Sequence, residues 1–307
     1  MKILITGGSS MVGKHLKKYL PNAIYLSSRD CDLINFDQTY NLFEIHKPDI
    51  VIHLAAKVGG ILDNINNPVS FFEDNIYMNT NILKCCHSFK VKKFIGILST
   101  CIYPDILPEN RYPIKEEYLH LGPPAQTNFA YGYAKRCLSV QVSAYNNQFG
   151  TKYSTLTPCN LYSEYDHFEG NKAHFLSSLI YKINKAKTSN QDSIELFGSG
   201  KPLRQFMYAE DLAKAITNVI DKNNIYDYNV CTPENLSIEQ IAKIALKACN
   251  AEYLNIKWDR TKPDGQFRKD SSSEKFLNDY PDFQFTNLMD GIKKTYDKRF
   301  NKALEIK

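Results

Sequence analysis

The residues best suited to chemistry lie in the run Tyr131-Gly132-Tyr133-Ala134-Lys135. On a helix, residues four apart share a face, so Tyr131 and Lys135 stand one turn apart on the same side. A lysine in that place favours the phenolate and can also hold a ribose. A phenol with a lowered pKa can then deliver a proton to a carbonyl oxygen as hydride arrives at the carbon. Ser99 closes an apolar run at residues 94–98 and is suited to hydrogen-bond the same oxygen. Ser99, Tyr131 and Lys135 therefore read as a carbonyl-reduction trio, with Tyr133 as a packing residue. Tyrosine and lysine at this spacing are common by chance, so their meaning depends on the elements that hold them.

Those elements alternate. Apolar strand patterns occur at residues 2–6, 24–27, 50–54, 94–98 and 153–156, and helical patterns at 11–19, 40–46, 75–88 and 131–145. Strands alternating with helices predict a parallel sheet covered on both faces, with ligands beyond the carboxyl ends of the strands. Past residue 165 the pattern loosens. Helices are expected at 174–187, 210–220 and 237–248, and more helix over 277–302, with Ser237 and Gln240 placed for a capping box. The expected fold is α/β: a Rossmann-like parallel-sheet domain over 1–165, and a smaller C-terminal α/β substrate-binding domain over 166–307. Segments around 185–235 are expected to return to the first domain.

The first strand runs into Gly7, Gly8, Ser9 and Ser10, and a helix follows at once. That order opens a dinucleotide-binding βαβ unit, in which backbone N–H groups and the helix N-terminus face a pyrophosphate. Glycine is present at Gly7 and Gly13, but Ser10 stands where the middle glycine of the pattern belongs, and serine tolerates positive φ poorly. The second strand ends in Ser27, Ser28 and Arg29 rather than in an acidic residue that would bond a ribose and repel a 2′-phosphate. Arg29 is read as a partner of that phosphate, giving NADP(H) over NAD(H), or alternatively as a solvated surface arginine. Asp32 is read against the adenine edge.

Longer strings carry a resemblance. Leu98-Ser99-Thr100-Cys101-Ile102-Tyr103-Pro104, His53-Leu54-Ala55-Ala56-Lys57-Val58-Gly59-Gly60, Asn160-Leu161-Tyr162, Gly198-Ser199-Gly200-Lys201-Pro202-Leu203-Arg204-Gln205-Phe206 and Lys262-Pro263-Asp264-Gly265-Gln266 are similar, in order and over nearly the whole chain, to segments of the GDP-L-fucose synthases. These are extended short-chain dehydrogenase/reductases. The resemblance implies a homodimeric enzyme that epimerises C3 and C5 of GDP-4-keto-6-deoxy-D-mannose and reduces C4 with NADPH. Cys101 and His174 match the family's base and acid. Taken alone, they read as a buried cysteine and a satisfied histidine. The resemblance places Gly7, Ser9, Ser10, Met11, Val12, Arg29, Asp32, Ala55, Lys135, Pro158, Leu161 and His174 along the cofactor, and Asn160, Lys182, Arg204 and Lys269 along the GDP-sugar. Lysine at 182 keeps a charge where relatives carry arginine but lacks the guanidinium fork. Lys57 is assigned to the cofactor or sugar region. The helices at 75–88 and 131–145 are the expected dimer helices.

Composition narrows the alternatives. The net charge of +5 comes from 38 basic and 33 acidic residues without a basic stripe, which argues against a nucleic-acid partner. The 8 cysteines include no CxxC pair, so neither a zinc site nor a disulfide scaffold is expected. The chain opens directly into a strand and holds no apolar run of membrane length, so a cytoplasmic enzyme is expected. A C4 reductase of another GDP-keto sugar, lacking epimerase activity, and a nucleotide-binding scaffold without turnover are compatible with many of the same residues. Intact Tyr131 and Lys135 weigh against the scaffold.

Overall fold

In the computed structural model, residues 1–170, 173–222, 226–262 and 264–301 are described; Pro263 and Lys302, which belong to two of the segments above, lie outside them. In chain order the elements are β1 (Ile3–Thr6), α1 (Met11–Tyr19), β2 (Ile24–Leu26), α2 (Phe36–His46), β3 (Ile50–His53), α3 (Ile61–Asn66), α4 (Pro68–Ser88), β4 (Lys93–Ile97), α5 (Phe129–Phe149) and β5 (Tyr153–Pro158). There follow β6 (Asn160–Tyr162), α6 (Phe175–Thr188), β7 (Ser193–Phe197), β8 (Leu203–Arg204), β9 (Phe206–Tyr208), α7 (Ala209–Asp221), β10 (Tyr228–Val230), β11 (Leu236–Ser237), α8 (Ile238–Ala248), β12 (Asn255–Asp259), α9 (Glu274–Asp279) and α10 (Leu288–Phe300).

The main sheet has six strands in the order β10-β5-β4-β3-β1-β2, and all its pairs are parallel. Its strands are buried on both faces, which is why Ile50, Val51 and Ile52 form a continuous apolar run rather than an alternating one. Successive side chains serve opposite layers. Leu4, Val51 and Phe94 pack with Phe43, Ile82 and Leu138 from α2, α4 and α5. Ile5, Ile52 and Ile95 pack with Leu16 of α1 and Leu212 and Ile216 of α7. Each fully buried Leu or Ile contributes roughly 1.5–3 kcal/mol. A third core joins α6, α8 and α10 through Leu179, Ile183, Ala242, Ala245 and Ile292. Three short two-stranded pairings, β6 with β9, β8 with β11 and β7 with β12, surround it.

The chain order reverses at β1, which has β2 on one side and β3 on the other. A crevice forms at such a switch point. Gly7 turns the chain there at φ 67°, and a Cβ on it would lie 2.7 Å from the backbone N of Ala55, just past β3. Ser10 does not meet the difficulty expected of it. Its φ is −66°, and its side chain accepts from the Gly13 N–H as the N-cap of α1. The position calls for a capping oxygen in extended backbone, which serine supplies better than glycine.

Several helices are longer than their apolar pattern. Helix α2 starts at Phe36 behind an Asn35 cap, and α4 starts at Pro68, which is favoured in a first turn because its missing N–H has no helical partner. The capping box of α8 forms as expected between Ser237 and Gln240.

Candidate active site

Two backbone features bring the reactive side chains together. Strand β4 ends at Ile97, and the chain turns through Ser99 into a single 3₁₀ turn that carries Cys101. Helix α5 packs directly on that turn, because residue 132 is glycine: a Cβ there would lie 2.7 Å from the Cys101 carbonyl oxygen. The side chain preceding it, Tyr131, is thereby set against Ser99 and Cys101. Tyr133 faces elsewhere, its ring 4.7 Å from that of Phe129 and under Arg136, so it is a packing residue.

The electrostatics of Tyr131 differ from the expectation. Burial raises its pKa above the ordinary tyrosine value, the charge of Cys101 raises it further, and a hydrogen bond with Ser99 only partly offsets this. Lys135 does not counter it, since its ammonium donates to the Ile97 carbonyl at 2.8 Å. Lys135 is itself 2% exposed, and desolvation lowers its pKa to about 8. Tyr131 is therefore a phenol that holds its proton, the form required of an acid.

Cys101 behaves in the opposite way. Burial pushes its thiol up, but the Lys269 charge and hydrogen bonds from Ser99, Lys269 and Asn128 outweigh this and bring it below the ordinary thiol value. Lys269 Nζ lies 3.2 Å from Sγ. Arg204, whose guanidinium donates to the Leu203 carbonyl at 2.7 Å, is close enough to feel the charge of Cys101. Ser99, Cys101, Tyr131, Lys135, Arg204 and Lys269 thus form one cluster, drawn from four separate stretches of chain.

His174 is the N-cap residue of α6. Its Nδ1 donates to the Asp166 carboxylate at 3.1 and 3.2 Å, and this hydrogen bond raises its pKa despite partial burial. Asp166 is fixed by Ser177 Oγ, 2.5 Å away and fully buried. With Nδ1 occupied, Nε2 is the nitrogen left to work. Asp166 escaped the sequence reading; its only signal was an acidic residue one short loop before the histidine.

Along the crevice, Thr6 Oγ1 accepts from the Ala55 N–H at 3.3 Å and donates to His53 Nδ1 at 2.7 Å, and His53 Nε2 meets Asn79 Oδ1 at 3.0 Å. Burial lowers the His53 pKa to about 3, so the ring stays neutral and the network braces the turns after β1 and β3. Asp30, the acidic residue nearest the tip of β2, accepts both the N–H and the O–H of Ser27 at 2.7 Å, while Arg29 is exposed. Asp32 Oδ1 accepts from the Ile34 N–H in the turn before α2. Ser9 is exposed and Met11 half-buried at the α1 terminus, Pro158 ends β5, and Leu161 of β6 packs on the sheet core. Val12 is 7% exposed and packed in the core, so only its backbone remains for a ligand.

Three assigned residues have other partners. Lys57 is paired with Asp74 at 2.7 Å. Asn160 donates to the Gln205 carbonyl at 2.8 Å. Lys182 donates to the Glu195 carbonyl at 2.8 Å and lies 5.2 Å from the ring centre of Phe197, with Lys262 at 5.9 Å. Phe197 is 59% exposed and went unnoticed in the sequence. Among the described residues no group of His, Cys, Asp and Glu could hold a metal ion, and no helix is long and apolar enough to cross a membrane.

The profile of the NAD dependent epimerase/dehydratase family matches residues 3–231. The chain belongs to that family. Within it, the chain is 38% identical to a GDP-L-fucose synthase of Dictyostelium discoideum, over 95% of this chain and 93% of that protein. It is 33% identical to a GDP-L-colitose synthase of Yersinia pseudotuberculosis, over 96% of each. Among solved structures, a GDP-L-fucose synthetase of Naegleria fowleri bound to NADP superposes with a TM-score of 0.89 at 39% identity, covering 99% of this chain and 94% of that one.

Proposed function

We propose that this family member is a GDP-L-fucose synthase, an NADPH-dependent enzyme that epimerises C3 and C5 of GDP-4-keto-6-deoxy-D-mannose and reduces C4. The observation that carries the reading is the cluster of Ser99, Cys101, Tyr131 and Lys269. It places a thiol inclined to lose its proton beside a phenol inclined to keep one. A reductase alone needs only the phenol.

The residues of the crevice fit NADP(H). The α1 N-terminus and the Gly7 turn suit a pyrophosphate. Arg29 suits a 2′-phosphate, because Asp30 is engaged by Ser27. Bound there, NADPH supplies the hydride for C4. Lys135, buried beside the end of β4, orients the ribose.

The ketone at C4 acidifies the hydrogens on C3 and C5. Cys101, as thiolate, removes the first proton and becomes a thiol, which releases that proton to solvent before it removes the second, while His174 takes a proton up from solvent. Ser99 Oγ and the Tyr131 hydroxyl donate to the enolate oxygen, where the negative charge develops. His174 returns a proton through Nε2 on the opposite face, with Asp166 holding Nδ1. Once both centres are inverted, the Tyr131 proton goes to the C4 oxygen. Arg204 is the partner for the pyrophosphate, and Asn160 holds the sugar. The exposed Phe197 ring, with the Lys182 and Lys262 ammoniums over it, offers an aromatic and cationic patch for the nucleotide end of the substrate.

The outer faces of α4 and α5 carry exposed Val69, Phe72, Tyr77 and Val140, which suit the interface of a homodimer. The eight unbridged cysteines suit a reducing compartment such as the cytoplasm. The test uses Cys101→Ser and His174→Gln. Each is expected to stay folded and to lose at least ~100-fold in fucose formation from the keto sugar, with NADPH binding unchanged in Cys101→Ser. Undiminished formation by either variant would remove that residue from the mechanism.

A further inference from the structure

We propose that Lys269 is the resident counter-ion of Cys101, its ammonium 3.2 Å from Sγ holding that sulfur as a thiolate before any substrate arrives, with Asn128 as a second donor. The inference rests on the reading of Cys101 as the base for C3 and C5. It gives Lys269 a different duty from the GDP-sugar contact that the resemblance implies.

The placement of Lys269 is built, not incidental. A surface lysine swings on four rotatable bonds and makes weak pairs. Here the backbone on the far side of Lys269 is fixed by several hydrogen bonds. Ile114 N–H donates to the Asp270 carbonyl at 2.8 Å, and Ser272 N–H donates to the Ile114 carbonyl at 2.8 Å. The buried Gln205 side chain accepts from Ser271 N–H at 2.9 Å and donates to the Ser271 carbonyl at 3.1 Å. On the near side, Arg268 Nε is tied to Asp270 at 2.7 Å. The segment therefore aims one side chain at the 3₁₀ turn after β4, which is where Cys101 stands.

The groups facing Cys101 come from every element around it. Lys269 comes from this strap, Arg204 from β8, Tyr131 from α5, Ser99 from the end of β4, and Asn128 from the turn before α5. Arg204 adds positive charge, but its own hydrogen bond is to the Leu203 carbonyl. Lys269 is the cation that bonds the sulfur. Asn128 supplies a second side-chain hydrogen bond to the sulfur.

The charge has a second consequence. A thiolate next to Tyr131 disfavours phenolate, so the negative charge settled on the sulfur adds to burial in keeping the proton on the phenol. One ion pair prepares the base for epimerisation and preserves the acid for reduction.

The first readout needs no sugar. The full-length protein is treated with iodoacetamide across a pH series, and carbamidomethylation of Cys101 is followed by peptide mass spectrometry in the wild type, Lys269→Met and Lys269→Arg. Circular dichroism and NADPH binding serve as checks of folding. Lys269→Met is expected to move the Cys101 alkylation midpoint up by about one pH unit, making labelling ~10-fold slower at pH values below both midpoints, and Lys269→Arg is expected to restore most of it. With keto sugar, exchange at C3 and C5 should fall in parallel with little change in KM. Superimposable alkylation profiles for Lys269→Met and wild type would overturn the proposal. A raised KM with an unmoved profile would do so too, and would make Lys269 a phosphate ligand. A shifted profile in a protein that never exchanges C3 or C5 would uphold the ion pair and overturn the epimerase reading.

Discussion

Replacing Asp166 with asparagine tests how His174 is held. The substitution keeps the size of the side chain and one oxygen to accept from His174 Nδ1 and Ser177 Oγ, and removes the charge together with the second oxygen, which accepts from the His167 N–H at 2.8 Å. Two unit charges about 4 Å apart interact by ~4 kcal/mol at an effective dielectric of ~20. The His174 side chain is 54% exposed, so solvent screening reduces this severalfold. About 1 kcal/mol remains, equivalent to ~0.7 of a pKa unit. The His174 pKa is raised in the folded protein, so the pair's stabilisation is fully present below the unfolded histidine value and is lost as pH rises through the folded one. Asp166→Asn should therefore lower the His174 pKa by about 0.7 of a unit in an NMR titration of its ring protons. The alkaline limb of the C3/C5 exchange rate should move to lower pH by the same amount. An unchanged His174 titration in a folded variant would refute the assignment of Asp166 as its positioning residue.

Two further outcomes follow from other parts of the structure. Arg29→Ser should raise KM for NADPH by ~10-fold or more, the worth of a charge-assisted pair, while leaving KM for NADH nearly unchanged; an equal effect on both would place Arg29 away from the 2′-phosphate. Ser237→Ala removes one arm of the α8 capping box and should cost about 1 kcal/mol, seen as a fall of about 2 °C in Tm with cofactor binding intact.

The parts of the fold that showed in the sequence were those with strong local signals. Buried runs such as Ile50-Val51-Ile52 and the glycine turn after β1 announce a parallel sheet, because a strand covered on both faces has no polar side. The short strands β6, β8, β9 and β11 have no such pattern. They are two or three residues long, and their pairing is set by tertiary contacts such as Gln205 to Thr232 and Ser271. The same holds for the site. Tyr131 and Lys135 are visible as a spacing on one helix. Lys269 against Cys101, and Asp166 against His174, join segments through folded loops, and a spacing rule cannot find a partner 168 residues away. The error over Tyr131 has a physical source. The spacing suggests that the lysine one turn along acts on the phenol, but its ammonium bonds the Ile97 carbonyl, and burial and Cys101 determine the shift. At Ser10 the glycine pattern points to conformational freedom, whereas the position needs a capping oxygen.

The central claim is that one site both inverts C3 and C5 and reduces C4. The most direct measurement is proton NMR of the product formed from GDP-4-keto-6-deoxy-D-mannose and NADPH by the wild-type protein in deuterated water. GDP-L-fucose carrying deuterium at C3 and C5 is the predicted result. A product reduced at C4 with both of those positions still protonated would contradict the account, and would leave Cys101 and Lys269 without a part in the chemistry.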